Sequence, residues 1–188
     1  MRVIAGKYRS RPLSSLPGFD LRPSADRLRE SLFNVLTAGN PAALEGTVWL
    51  DLFAGTGAVG IEALSRGASM VYFVESSPRA ANLVRKNLQS LEIDAGFQVM
   101  QKDAVQGLRA IESSGVTAGF AFLDPPYRLQ KAYEQTLSRL AQTPLLTPES
   151  IVIAEHEKRF DPGGTFDKLH RFRTLTHGEA TLSFYKLA

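Results

Sequence analysis

From Thr47 onward the chain alternates two kinds of hydrophobic pattern. Short apolar runs, "TVWLDLF", "SMVYFVE", "FQVMQ", "GFAFLD" and "SIVIAE", read as strands. Between them lie segments whose apolar residues recur every three or four positions, the helical period. One runs over "AVGIEALSR" and closes at Gly67; the next starts at Ser77-Pro78, with Ala81, Val84, Leu88 and Leu91 on one face. Ala104, Leu108 and Ile111 mark a further helix, and Tyr133, Leu137, Leu140 and Ala141 another. Two last strands, about 168 to 176 and 180 to 187, turn at His177-Gly178-Glu179 as a hairpin. Regular β–α alternation implies right-handed crossovers and a parallel, doubly wound sheet. The expected fold is therefore α/β and Rossmann-like, a mostly parallel seven-stranded sheet ending in an antiparallel hairpin.

Ahead of this pattern, residues 1–40 follow a different rhythm. Short strand-like pieces in "RVIAGKYRSRPL" are broken by Gly6 and by prolines and a glycine further on. "RPSADRLRESLFNVL" reads as a helix with Ser24 as N-cap, Asp26 in its positive first turn, and Leu28, Leu32, Val35 and Leu36 as its apolar stripe. This divides the chain into a small N-terminal extension, 1–40, and a main domain, 41–188.

Charge changes the picture of that extension. The formal net charge is only +3, but Lys7, Arg9, Arg11, Arg22, Arg27 and Arg29 crowd the first thirty residues, the electrostatic footprint a nucleic-acid-binding extension would have. A solvated basic face with no partner would have the same composition. The chain has 188 residues and no cysteine, which suits one core and excludes disulfides and thiolate metal sites. His156, His170 and His177 lack the spacing of a zinc motif, so no metal is expected. With no long apolar run and no signal peptide, the expected location is the cytoplasm.

In a doubly wound sheet ligands bind outside the C-terminal strand ends, and here those ends carry acids: Asp51, Glu75, Asp103 and Asp124. After Asp51 comes the turn Phe53-Ala54-Gly55-Thr56-Gly57, and "GTGAVG" matches G-x-G-x-x-G with Glu75 twenty positions after Gly55. A dinucleotide site uses this pattern, and so does a tight turn that holds nothing. A pyrophosphate, however, wants backbone N–H groups without carboxylates nearby. Several acids around one crevice suit a cationic ligand better, and S-adenosylmethionine, with its ammonium and sulfonium, fits. Its ribose hydroxyls would donate to Glu75 and its adenine amine to Asp103. Candidate cofactor contacts are Asp51, Phe53, Ala54, Gly55, Thr56, Gly57, Glu75, Ser76, Asp103 and Ala104.

The run "FAFLDPPYR" ends a buried strand on an acid, two prolines and a tyrosine. Prolines cannot continue a ladder, but their fixed φ holds a carbonyl rigidly. The Asp124 carboxylate and the Pro125 carbonyl can accept from the N–H groups of a planar exocyclic amine and stabilise charge that develops on it. Tyr127 offers a stacking face for an extruded base. Asp124, Pro125, Pro126 and Tyr127 are thus the catalytic candidates.

"DLFAGTGAVGIEALSRGA", "FVE", "DPPY" and the leading "RVIAGKYRSRPL…LRPSADRLRESLFNVL" together resemble the bacterial RsmD family over nearly the whole chain. The element R-P-x-x-D-R-x-R-E-x-L-F-N is the most specific part. That resemblance implies a guanine-N2 methyltransferase of 16S ribosomal RNA that uses S-adenosylmethionine, acting on the RNA or on the small ribosomal subunit. It implies that Asp51, Gly55, Gly57 and Glu75 line the cofactor pocket and that Asp124 to Tyr127 form the clamp. Ser24 stands where the family usually has threonine, and Ala5 where it often has the first of two glycines. A DNA amino-methyltransferase acting on adenine N6 or cytosine N4 would use the same clamp, though it usually needs a larger recognition region. A nicotinamide-dependent oxidoreductase leaves "DPPY" unexplained, and a non-catalytic RNA-binding module leaves the strand-end acids unexplained.

Overall fold

A computed structural model describes residues 1–15 and 23–188, with side chains described in the second span from Asp26 onward. The alternation takes the order α1 (Pro23–Leu36), β1 (Val48–Leu52), α2 (Ala58–Ser65), β2 (Met70–Val74), α3 (Pro78–Ser90), β3 (Phe97–Met100), α4 (Ala104–Glu112), β4 (Phe120–Leu123), α5 (Gln130–Gln142) and β5 (Ile151–Glu157). Three antiparallel strands follow: β6 (Thr165–Phe166), β7 (Leu169–His177) and β8 (Ala180–Leu187). The sheet order is β3-β2-β1-β4-β5-β8-β7-β6, with β1 to β5 parallel and β8 inserted antiparallel beside β5.

Among the described residues the sheet has eight strands, not the seven expected. The additional one, β6, is two residues long and pairs Thr165 with His170 and Phe166 with Leu169. A segment that short, between Gly163-Gly164 and Asp167, carries no alternation to read. Helix α1 begins at Pro23, and the Ser24 side chain expected to cap it lies outside the described residues.

Alternate residues of the buried strands face opposite ways, and each face has its own core. Trp49, Phe73, Phe120, Phe122 and Ile153 lie under α1, α2, α3 and the N-terminal segment. Leu50, Leu52, Leu123, Val152 and Ala154 lie under α4 and α5 with Leu108, Leu137 and Leu140. Trp49 is stacked between Phe33 of α1 and Phe120 of β4, at 5.3 Å from each ring. Leu28, Leu32, Phe33 and Leu36 of α1, with Val3 and Leu13, belong to the same cluster as Trp49 and Phe73. The described part of the extension therefore has no core of its own. Each such side chain contributes roughly 1.5–3 kcal/mol by leaving water.

The N-terminal segment is also held by polar contacts. Glu62, fully buried on α2, accepts from the amides of Ile4 (2.7 Å) and Ala5 (3.0 Å) and from Arg66 Nε (2.7 Å). A Cβ at Gly6 would sit 1.8 Å from the Ser65 carbonyl oxygen, so only glycine allows this approach. The chain keeps that glycine, and the alanine at position 5 is accommodated. Among the described residues no helix is long and apolar enough to cross a membrane.

Candidate active site

Parallel strands β2, β1, β4 and β5 carry acids toward their C-terminal ends on the face under α1 and α2. Glu155 lies within β5, which runs on to Glu157, and Asp51 pairs level with Phe73 and Phe122, one rung short of the other three. Glu75 follows Phe73, Asp51 follows Trp49, Asp124 follows Phe122 and Glu155 follows Ile153, each two residues along its strand. The site is this row together with the turn that leaves β1.

That turn is built from backbone more than side chains. The amides of Phe53 and Ala54 both donate to the Val74 carbonyl, at 2.9 and 3.0 Å, and Gly57 N closes on Ala54 O at 2.7 Å. Gly55 and Gly57 have φ of 56° and 78°, the left-handed region that glycine enters without strain. Phe53 also has a positive φ, 68°. Glu75 accepts from Gly55 N (2.9 Å) and Ser77 N (2.7 Å), so its carboxylate ties the glycine turn to the end of β2. Behind the turn, Asn87 of α3 donates to Thr56 O (2.9 Å) and Ser14 O (3.1 Å) and accepts from Ser14 N (2.8 Å). The cofactor-type turn and the N-terminal segment thus share one buried amide.

Asp51 is buried and accepts from Gly60 N at 2.9 Å, which anchors the first turn of α2. Burial pushes its carboxyl up to about 8, with the Asp124 and Glu75 charges adding to the rise and the Gly60 N–H opposing it. Asp124 is pushed up to about 7 by burial. Burial also holds Glu155 well above the carboxylate range, and the Asp124 charge adds to it. Asp103 sits on the far side of β2, caps α4 by accepting from Gln106 N (2.8 Å) and is exposed. Ser76 is exposed and Ala104 buried.

Beyond Asp124, Pro125 is buried, Pro126 is exposed, and Tyr127 shows 37% of its surface, among the most exposed large apolar side chains of the described residues. Tyr133, completely buried on α5, donates to Glu155 O at 2.8 Å and lies 3.4 Å from Pro125 O. Its hydroxyl braces the ends of β4 and β5 from the opposite face. A phenolate there is strongly disfavoured by burial and by the surrounding acids, so the group stays a donor.

The basic residues separate. Lys7, Arg9, Arg11 and Arg27 are exposed, with Lys7 over the Tyr8 ring at 5.1 Å and Arg11 donating to Ser90 O at 2.8 Å. Arg29 is a correction: it is 6% exposed and turned inward, donating to Arg2 O (2.5 Å) and Asp26 (3.2 Å). A guanidinium committed to those partners does not reach an RNA phosphate. Arg22 lies outside the described residues.

Sequence reasoning passed over Glu155, Tyr133 and Asn87. The signal for Glu155 was present, since "SIVIAE" ends on an acid as the other strands do. Asn87 was visible as a polar residue on the apolar face of α3, beside Val84 and Leu88. Tyr133 reads in the sequence only as an apolar position, and no sequence pattern says where its hydroxyl points.

Comparison with known proteins adds the following. A family model described as conserved hypothetical protein 95 matches residues 1–186. A provisionally assigned rRNA methyltransferase of Bacillus subtilis is 35% identical over 186 residues, 99% of this chain and 98% of its own. Ribosomal RNA small subunit methyltransferase D of Haemophilus influenzae is 36% identical over 84% of this chain and 79% of its own. Among solved structures, a hypothetical protein of Thermus thermophilus superposes with a TM-score of 0.80 at 26% identity, covering 100% of this chain and 99% of that one.

Proposed function

The chain belongs to the conserved hypothetical protein 95 family, the RsmD family, and on that premise we propose that it transfers a methyl group from S-adenosylmethionine to the exocyclic N2 amine of a guanine in 16S ribosomal RNA. The observation that carries this reading is the Asp124-Pro125-Pro126-Tyr127 turn, which presents a half-buried acid beside an exposed ring, on the strand next to the glycine turn.

The residues present suit that cofactor. A Cβ at Gly55 would meet nothing closer than Phe53 O at 3.9 Å, so the mouth of the turn is open to a ligand. Three carboxyls along the crevice, those of Asp51, Asp124 and Glu155, are held above their ordinary range. A cation relieves the cost of ionising them, whereas a pyrophosphate would raise it. Glu75, Asp51, Ser76 and the segment Phe53 to Gly57 would hold the cofactor, with Asp103 and Ala104 at the adenine end. When bound, S-adenosylmethionine supplies a methyl group on a positively charged sulfur.

The chain's own groups act on the acceptor. A guanine amine is a weak nucleophile because its lone pair is delocalised into the ring. The ionised Asp124 carboxylate and the Pro125 carbonyl accept from its N–H bonds, favour a pyramidal nitrogen and offset the positive charge that develops there. Tyr127 stacks on the extruded base. Asp124 is then placed to take the surplus proton. Lys7, Arg9, Arg11 and Arg27, exposed on the N-terminal segment and α1, would bind RNA phosphates.

The test is transfer of labelled methyl to small-subunit RNA and to 30S particles, followed by nucleoside analysis. Label in N2-methylguanosine is expected. Label in N6-methyladenosine or N4-methylcytidine, or transfer to DNA instead of RNA, would overturn the assignment.

A further inference from the structure

Glu155, on β5 just past its pairing with β4, is the acid for which the reading above has no task. β4 and β5 run parallel and in register to Leu123 opposite Ala154, so the next residues, Asp124 and Glu155, stand side by side. Both point to the face that Phe122 and Ile153 share, on strands about 4.8 Å apart. The other two acids of that row are occupied, Asp51 by the Gly60 amide and Glu75 by the Gly55 and Ser77 amides. No hydrogen bond from a described group holds down either the Asp124 or the Glu155 carboxyl, and both titrate high. Meanwhile the Tyr133 hydroxyl, 2.8 Å from Glu155 O and 3.4 Å from Pro125 O, fixes the lateral spacing of the two strand ends.

We propose that Glu155 is a specificity-determining residue, accepting a hydrogen bond from the ring N1–H of the guanine whose N2 amine Asp124 holds. This rests on the reading of the clamp given above. Two neighbouring acceptors are matched by a base edge that offers neighbouring donors. Guanine is such a base, with N1–H directly beside the N2 amine. Guanine's N1–H donor stabilises the ionised Glu155 against the burial that disfavours it, whereas adenine and cytosine place a ring-nitrogen lone pair beside their amine, which that carboxylate repels. A site whose buried acceptor is left facing a lone pair discriminates strongly, because that group then has no partner. Asp124 alone would not separate the three amines; the acid beside it does.

The test uses RNA in which the methylated guanine, once mapped, is replaced by 2-aminopurine. That base keeps the exocyclic amine but carries a lone pair at N1. Wild-type protein should favour guanine, and Glu155→Gln, whose amide can donate to a ring nitrogen, should contract the guanine to 2-aminopurine ratio of kcat/KM by about 5- to 150-fold, the range for a specific base contact of about 1–3 kcal/mol. Because the ratio compares two substrates in one protein, a loss of folded fraction cancels. S-adenosylhomocysteine affinity should be unchanged. If Glu155→Gln keeps the wild-type ratio, or is inactive on both RNAs while binding S-adenosylhomocysteine normally, Glu155 does not read the base. Wild-type protein that methylates both RNAs equally would overturn the proposal with no variant at all. Wild-type protein that methylates no guanine would overturn the functional reading as well, so the two failures are distinct.

Discussion

Asp51→Asn should make stability less dependent on pH, and the sign follows from burial. The Asp51 carboxyl is 1% exposed, accepts one amide hydrogen bond and is pushed up to about 8. In the unfolded chain the same group titrates near 4. Between those values the native state binds a proton that the unfolded state has lost. Stability from this group is therefore fully present below about pH 4 and falls as pH rises through about 8. The slope is about 1.4 kcal/mol per pH unit, so moving from pH 5 to pH 7 costs wild type about 3 kcal/mol through Asp51. That is a large part of a typical domain stability of about 5–15 kcal/mol. Asparagine keeps a carbonyl acceptor for Gly60 and cannot ionise. Asp124 and Glu155 add similar slopes to both proteins and largely cancel in the difference. Urea unfolding of both proteins at pH 5, 6, 7 and 8 measures it, and the variant should gain on wild type at every step. Parallel pH curves would refute the reasoning, since they would mean that Asp51 is already ionised in the fold at pH 5.

Asp124→Ala should slow single-turnover methyl transfer on the order of a hundredfold or more, by analogy with loss of one oxyanion-hole donor, while calorimetry shows little change in cofactor affinity. In wild type the same rate should rise with pH through about 7, as Asp124 ionises and becomes an acceptor; a flat profile would remove Asp124 from the step. Tyr127→Phe should be close to neutral and Tyr127→Ala should weaken RNA engagement by about 1–3 kcal/mol, which filter binding can measure. Glu75→Ala should lower cofactor affinity by roughly 1.5–3 kcal/mol, and unchanged calorimetry would exclude Glu75 from that site. Replacing both Arg9 and Arg11 by alanine should reduce the salt slope of RNA binding by about 1.5, leaving cofactor affinity intact.

The parts of this fold that were legible in the chain are those where one residue's neighbours in sequence decide its environment. Trp49, Phe73, Phe122 and Ile153 sit in runs that only a buried strand explains, and Leu28, Leu32 and Leu36 repeat at helical spacing. β6 was not legible, because two residues cannot show a period. Arg29 misled for a different reason. It stands one position from Leu28 on α1, and its inward turn depends on Arg2 O and on the nearby Glu62 of α2, residues that only the tertiary fold brings there. Charge counted along the chain cannot distinguish such an arginine from Arg27, two residues earlier and exposed.

The strand-end acids show how far such reading reaches when it is applied evenly. Asp51, Glu75 and Asp124 were singled out because each ends an apolar run, and Glu155 ends one by the same rule. Topology then gives the four different duties. Strand order β2-β1-β4-β5 places them on neighbouring strands, with Asp51 one rung behind at the level of Phe73 and Phe122, and the amides of Gly55, Ser77 and Gly60 draw Glu75 and Asp51 into holding the glycine turn and α2. Of the last two, Asp124 stands where β4 gives way to Pro125 and Pro126 and Glu155 lies within β5, and among the described residues no such amide serves either carboxyl. Carboxyls left in that condition are costly to ionise until a ligand brings donors or positive charge. A cationic methyl donor on one side and a guanine edge on the other would bring both, so Asp124 and Glu155, costly to ionise by themselves, are complementary to the pair of substrates that would lie along them.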